Sequence, residues 1–308
     1  MSTQSNAIPD AFEGQHLVAA PLAPTRPFYW SVRRELWEYR SVYIAPLVGA
    51  AVTLVGFFIF LPHLPEALRN SLAPNSVPEH GGASHPFVIG AALVMGASFL
   101  VSIFYALDTI YGERRDRSLL FWKSMPVSDL TAVLAKFTVT IVIIPLVSFA
   151  ITIATEAVLI AIGSVALVAR GLSPAAMWSQ LQPLSSGGHL LYHLVTVHMF
   201  WYAPLYAWLL LISAWARRAP FLWAAMPIFA ITLFEKLAFH TSYVLGFLEN
   251  RVSGGNTMDA IGADSPLHAG AHMTPLNFLA TPGLWFGLAF TALFLFAAAR
   301  LRSSRGPS

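Results

Sequence analysis

The 308-residue chain is 56% hydrophobic and carries Asp, Glu, Lys or Arg at only 11% of its positions, against about 25% in an ordinary soluble domain. So little charge cannot coat a soluble surface, and the net charge of +3 is spread over short segments instead of one face, which argues against a nucleic-acid partner. With no cysteine in the chain, a disulfide framework and a thiolate metal site are both excluded.

In chain order, residues 1–25 are polar and proline-containing, without the basic start and apolar core of a cleaved signal peptide. They are expected to form a disordered cytoplasmic tail ahead of a single membrane domain over 26–305. Next comes FYWSVRRELWEYRSVY, in which Tyr29, Val32, Leu36, Tyr39 and Tyr43 recur at helical steps. Arg33, Arg34, Glu35 and Glu38 fill much of the remaining surface, and Trp30 and Trp37 supply rings that favour the headgroup layer. The pattern predicts an amphipathic helix lying on the inner membrane surface, with Trp30, Arg33, Arg34, Leu36 and Trp37 at the interface. Its alternative is a plain basic, aromatic flank of the first span.

Six nearly uncharged stretches follow, at 41–61, 87–107, 137–160, 190–216, 220–240 and 281–299. Each is close to the roughly 20 residues that a helix needs to cross the hydrocarbon layer. With the N-terminus placed inside, fourteen of the eighteen Lys and Arg residues fall on the cytoplasmic side, only Arg69, Arg170 and Arg251 on the other, and Lys236 within the fifth span. A missed or invented span would have swapped the downstream loops and erased this bias. The fold class expected is an all-α integral membrane protein with six spans and both termini inside. Pro145 and Pro204 should kink the third and fourth spans. The external segment 170–189 reads as a short loop. The longest external segment, 241–280, has apolar patches at 243–248 and 276–279 around the turn-prone Ser253, Gly254, Gly255 and Asn256, which suggests re-entrant or interfacial helices.

Between the second and third spans lies GERRDRSLLFWKSMPVSDLTAVLAKF. The charged run Glu113, Arg114, Arg115, Asp116 and Arg117 leads into Leu119, Leu120, Phe121 and Trp122, an apolar patch of the kind that marks an interaction site or dips into the lipid interface. Pro126 ends this short helix, and Ser128 or Asp129 can cap the next one. This stretch resembles the coupling helix of the type-2 ABC permeases, the membrane subunits of ATP-binding-cassette exporters. Glu113, Arg114, the patch from Leu119 to Trp122, Pro126, Val127, Ser128 and Lys136 match the family pattern, whereas Arg117 and Ser118 stand where a small residue is common. The amphipathic N-terminal helix resembles the family's elbow helix, and the last external segment its re-entrant region. The resemblance implies a permease that binds no cofactor itself. It docks a separate ATPase subunit, which carries ATP and Mg, through Glu113, Arg114, Arg115, Asp116, Leu119, Leu120, Phe121, Trp122 and Pro126. It also implies pairing with a second permease, contact with membrane lipid, and residence in a bacterial inner membrane as a multi-pass protein.

The sequence contains no phosphate-cradling G-x-x-x-x-G-K-[ST] loop, so ATP hydrolysis is expected on another chain and this chain is not read as an enzyme. Charges inside spans are costly and each suggests a role. Glu156, Glu235 and Lys236 are candidates for a translocation-path lining or a Glu156–Lys236 interhelical pair, and Glu156 alternatively for simple solvation at the interface. No metal site is expected, since the histidine spacings match no recognised motif. Two other classes remain open. An ion-coupled secondary transporter would show related halves and paired mid-membrane carboxylates, and an intramembrane lipid-modifying enzyme would show a nucleophile with its base; neither pattern stands out.

Overall fold

The computed structural model describes residues 26–71, 84–116, 127–252 and 278–304. Every element among them is helical. Helix α1 (Pro27–Glu38) opens with a proline in its first turn, where the missing N–H costs nothing. It is followed by α2 (Ser41–Phe60), a short α3 (Leu64–Ser71) and α4 (His85–Arg115). The apolar span expected at 87–107 thus continues for two further turns beyond the hydrocarbon-length stretch. Ser128 caps the following helix α5 (Asp129–Thr138), its Oγ accepting from the Thr131 N–H at 3.1 Å, so Ser128 fills the cap role for which Asp129 was the other candidate.

Helix α5 runs through a π-helical turn at Val139–Ile143 into α6 (Ile144–Ala169). A second π-helical stretch, Leu194–Trp201, joins α8 (Pro183–His193) to α9 (Ala203–Trp215). Each wide turn lies just ahead of a proline, Pro145 or Pro204. A proline ring clashes with the carbonyl four residues earlier and offers it no N–H, and widening the preceding turn relieves both faults. The first break keeps one continuous span, Asp129–Ala169, whereas the second bends the fourth span by 47°. The segment 170–189, expected as a loop, instead contains α7 (Ala175–Leu181) and the start of α8. Beyond the bend come α10 (Pro220–Phe239), α11 (Tyr243–Val252) and α12 (Pro282–Ser304). The expected helix over 243–248 is thus the first part of α11, while the run Ser253 to Asn256 lies outside the described residues.

Among the described residues five helices are long and apolar enough to cross a membrane, six with the bent pair counted as one span. The chain is therefore a multi-pass membrane protein. Its outer face is apolar, with Val48, Ile59, Leu237, Phe286 and Phe290 all exposed, as a bilayer requires and water would penalise. Inside, α4 is packed by α2, α6 and α9, and α9 in turn by α12. Gly49 and Gly90 set the α2–α4 approach. A side chain at Gly49 would press on the backbone of Leu93 and Val94, and one at Gly90 would overlap the Thr53 methyl. Small residues at such a crossing let two backbones come together where lipid offers no hydrophobic driving force between helices.

Candidate functional site: a buried ion cluster at one end of the bundle

The four residues Val32, Glu35, Leu36 and Tyr39 follow the i, i+3, i+4, i+7 spacing of a single helix face. In α1 that face is turned inward. Val32, Leu36 and Tyr39 pack against Val42, Tyr105, Val139 and Ile144, which carries Glu35 into the interior with only 1% of it exposed. Glu35, expected among the solvated charges of this helix, is therefore a core residue. On α4, Tyr105, Thr109 and Glu113 form a matching stripe at steps of four. On α5, Lys136 lies one turn beyond Val133 and one turn before Thr140, and all three are buried.

These stripes meet. Lys136 Nζ donates to Glu35 Oε1 at 2.7 Å and to Thr109 Oγ1 at 2.8 Å, and lies 3.0 Å from Glu113 Oε1. The second Glu35 oxygen accepts from Tyr105 Oη at 2.8 Å and Thr109 Oγ1 at 3.1 Å. Arg34 pairs with Glu35 and reaches Glu113 Oε1 at 2.7 Å. From the last turn of α12, Arg302 holds Glu113 Oε2 at 3.1 Å through one nitrogen and Asp129 through another. Three carboxylates, Glu35, Glu113 and Asp129, are thus matched by three cations, Arg34, Lys136 and Arg302. A buried ion cluster persists only when its charges balance and its polar atoms are bonded; here the three charges of each sign balance and every carboxylate oxygen of Glu35 and Glu113 is bonded, while Nε of Arg302 is buried without an acceptor. Burial alone would raise the Glu35 carboxyl, but Lys136 and Arg34 outweigh it and hold it below its ordinary value of 4.5.

A second anchor sits beside the cluster. Arg114 donates to the carbonyls of Ser213 at 2.7 Å and Ala216 at 2.6 Å, placing a cation at the carbonyl end of α9, where the helix dipole favours it. Ser213 Oγ accepts from the Tyr111 N–H at 3.0 Å. Consequently α1, the ends of α4, α9 and α12, and the start of α5 are all tied together at one end of the bundle.

The other sequence-derived residues fall as follows. Trp30 and Trp37 are exposed on the outer side of α1, with Arg33 stacked between them at 5.2 and 4.7 Å from their ring centres; Leu36 faces inward. Arg115 pairs with Asp116 at 2.9 Å on the surface, away from the cluster. Leu119, Leu120, Phe121, Trp122 and Pro126 lie outside the described residues. Glu156 and Lys236 are not brought together. Glu156 borders a small void with Thr53, Gly90 and Thr152 between α2, α4 and α6, while Lys236 is exposed on α10. Glu235 caps α11, accepting from the N–H groups of Tyr243 at 2.6 Å and Val244 at 2.9 Å and from Thr241 Oγ1 at 2.9 Å. Among the described residues no group of three His, Cys, Asp or Glu side chains is placed to hold a metal ion.

Glu35, Asp129, Tyr105, Thr109 and Arg302 were missed as site residues. The signal for Glu35 was its place within an apolar stripe, where a solvated charge does not belong. Arg302 left no such trace, because its partners are 173 and 189 residues away. No family model, curated protein or solved structure matches this chain, which leaves the cluster's own geometry and chemistry as the ground for a functional reading.

Proposed function

We propose that the chain is the permease subunit of an ABC exporter in a bacterial inner membrane, forming a path with a second permease and driven by a separate ATPase subunit. The observation that carries this reading is the ion cluster at the roots of residues 117–126. In the chain this segment is flanked by Glu113 before it and Asp129 after it, and the Arg302 guanidinium binds both of those carboxylates. Glu113 is further joined to Arg34 on α1 and to Lys136 at the start of the third span. A push on this segment therefore reaches α1, α12 and the third span through short, desolvated ion pairs, and is not lost in mobile surface side chains. Such stiffness suits a docking helix that converts movement of an ATPase into movement of spans. Leu119, Leu120, Phe121 and Trp122 are the proposed contact with that subunit, and the ion-cluster end of the bundle is the cytoplasmic end.

The test is co-purification of the tagged chain from detergent, beside a variant with Leu119, Leu120, Phe121 and Trp122 all changed to Ala. An ATP-hydrolysing subunit is expected to travel with the wild type and to be lost from the variant. A well-folded wild type that brings no ATPase overturns the reading.

A further inference from the structure

At the end of the bundle opposite the ion cluster, another buried cation has no anion beside it among the described residues. Arg251, on the last turn of α11, is only 9% exposed. Its Cζ lies 4.3 Å above the Trp201 ring, and Nη1 donates to the Gly283 carbonyl at 3.2 Å. The guanidinium fills a notch on α12 left open by glycine, for a side chain at Gly287 would collide with Nη2. Yet Nη2 is buried with no acceptor, and so is Nε1 of Trp201, itself 8% exposed. Among the described residues no carboxylate lies within ion-pair distance of Arg251. Two donors without acceptors, one of them on a full positive charge, thus belong to a pair of stacked side chains, of which Trp201 packs with Phe278 and Leu284.

Buried N–H groups are nearly always bonded, and a buried charge demands a counter-charge. The shape of the unmet demand is specific. A planar guanidinium and a neighbouring indole N–H both donate and neither accepts, which fits an oxyanion and fits a cation or neutral donor badly. Height points the same way. Gly287 and Gly283 lie 15 and 19 residues along α12 from Arg302, about 22 and 28 Å at a helical rise of 1.5 Å per residue, so the donors stand near the far headgroup layer of a bilayer whose core is about 30 Å thick. The helix that carries Arg251 is loosely held, with Tyr243, Leu245 and Phe247 largely exposed. Polar ties secure it at its two ends: the Glu235 cap at its start and Arg251 at its finish.

We propose that Arg251 and Trp201 form a binding site for the phosphate head of a membrane amphiphile in the leaflet opposite the ion cluster, with α11 withdrawing slightly to admit it. The site does not depend on an ATPase partner, so it stands or falls separately from the exporter reading. The test is native mass spectrometry of the full chain, delipidated in detergent and titrated with phosphatidylglycerol or, separately, with sodium phosphate. Wild type is expected to bind one phosphatidylglycerol at least about ten-fold more tightly than Arg251→Gln, the scale of a lost charged hydrogen bond. Trp201→Phe, which keeps an aromatic face for stacking and loses the N–H with part of the ring surface, is expected to weaken binding several-fold and decides the matter if Arg251→Gln fails to fold. Saturation by sodium phosphate with the same dependence on both residues assigns the site to a soluble oxyanion; saturation by the lipid alone assigns it to the bilayer. Equal binding by wild type and the folded variants overturns the proposal.

Discussion

Lys136 shows most directly what a single buried charge does in this chain. Its ammonium faces two carboxylates, Glu35 and Glu113, in a setting almost sealed from solvent. Replacing it with methionine keeps the volume and removes the counter-charge, a change that costs roughly 3–5 kcal/mol when one partner of a buried pair is lost. Lys136→Met is therefore expected to lower the thermal midpoint in detergent sharply, while Lys236→Met, on an exposed residue of α10, leaves it nearly unchanged. Glu35 adds a pH dependence of definite sign. Because its folded carboxyl is held below the ordinary 4.5, its stabilising contribution is complete above that value and is lost as pH falls through the lower, folded one. Melting measured from pH 7 to pH 3 should show wild type losing more stability below about pH 4.5 than Glu35→Gln does. An equal loss in both would mean that other carboxylates carry the acid sensitivity. The sequence sets Glu35 in register with an apolar stripe, but its burial was not read from it, and its partners on other helices share no local pattern because they lie seventy to a hundred residues away.

Among the elements, the α2–α4 crossing offers a cleaner case than the ion cluster, because it depends on shape alone. Thr53 Oγ1 donates to the Gly49 carbonyl at 2.9 Å, and its methyl occupies the space that a side chain at Gly90 would need. Alanine in place of a helical glycine normally gains up to about 1 kcal/mol, whereas forcing an extra methyl into a packed contact costs about 1–3 kcal/mol. The overlap should win, so Gly90→Ala is expected to destabilise. Adding Thr53→Ser, which keeps the hydroxyl and removes the offending methyl, should recover most of the loss. If the double variant is as unstable as Gly90→Ala alone, the contact is not the cause. At this scale the spans themselves were readable from apolar length, and the breaks near Pro145 and Pro204 from proline chemistry. That the first break yields a continuous helix and the second a 47° bend was not, because the neighbours packed around each proline settle how the chain takes up the strain.

Across the whole molecule, the proposed orientation makes a prediction that the lack of native cysteine makes easy to examine. Single cysteines at the exposed positions Arg217 and Ser303, near the ion-cluster end, should resist a membrane-impermeant maleimide in intact cells, and cysteines at Glu66 and Ser173 should react. The reverse pattern would place the cluster outside. Hydropathy by itself determines that this chain carries helices fit to enter a bilayer and roughly where they lie, and the distribution of Lys and Arg supplies the proposed orientation. Those features follow from the solvent, which acts on each segment independently of the others. Only the tertiary structure decides that Glu35 is buried, that Arg302 clasps Glu113 and Asp129, that Glu235 caps α11 and leaves Lys236 unpaired with Glu156, and that Arg251 rests against Trp201. Each of these is a choice of partner made when spans pack together, and the energy that selects it, a matched buried charge or an occupied notch, exists only once both sides are in place.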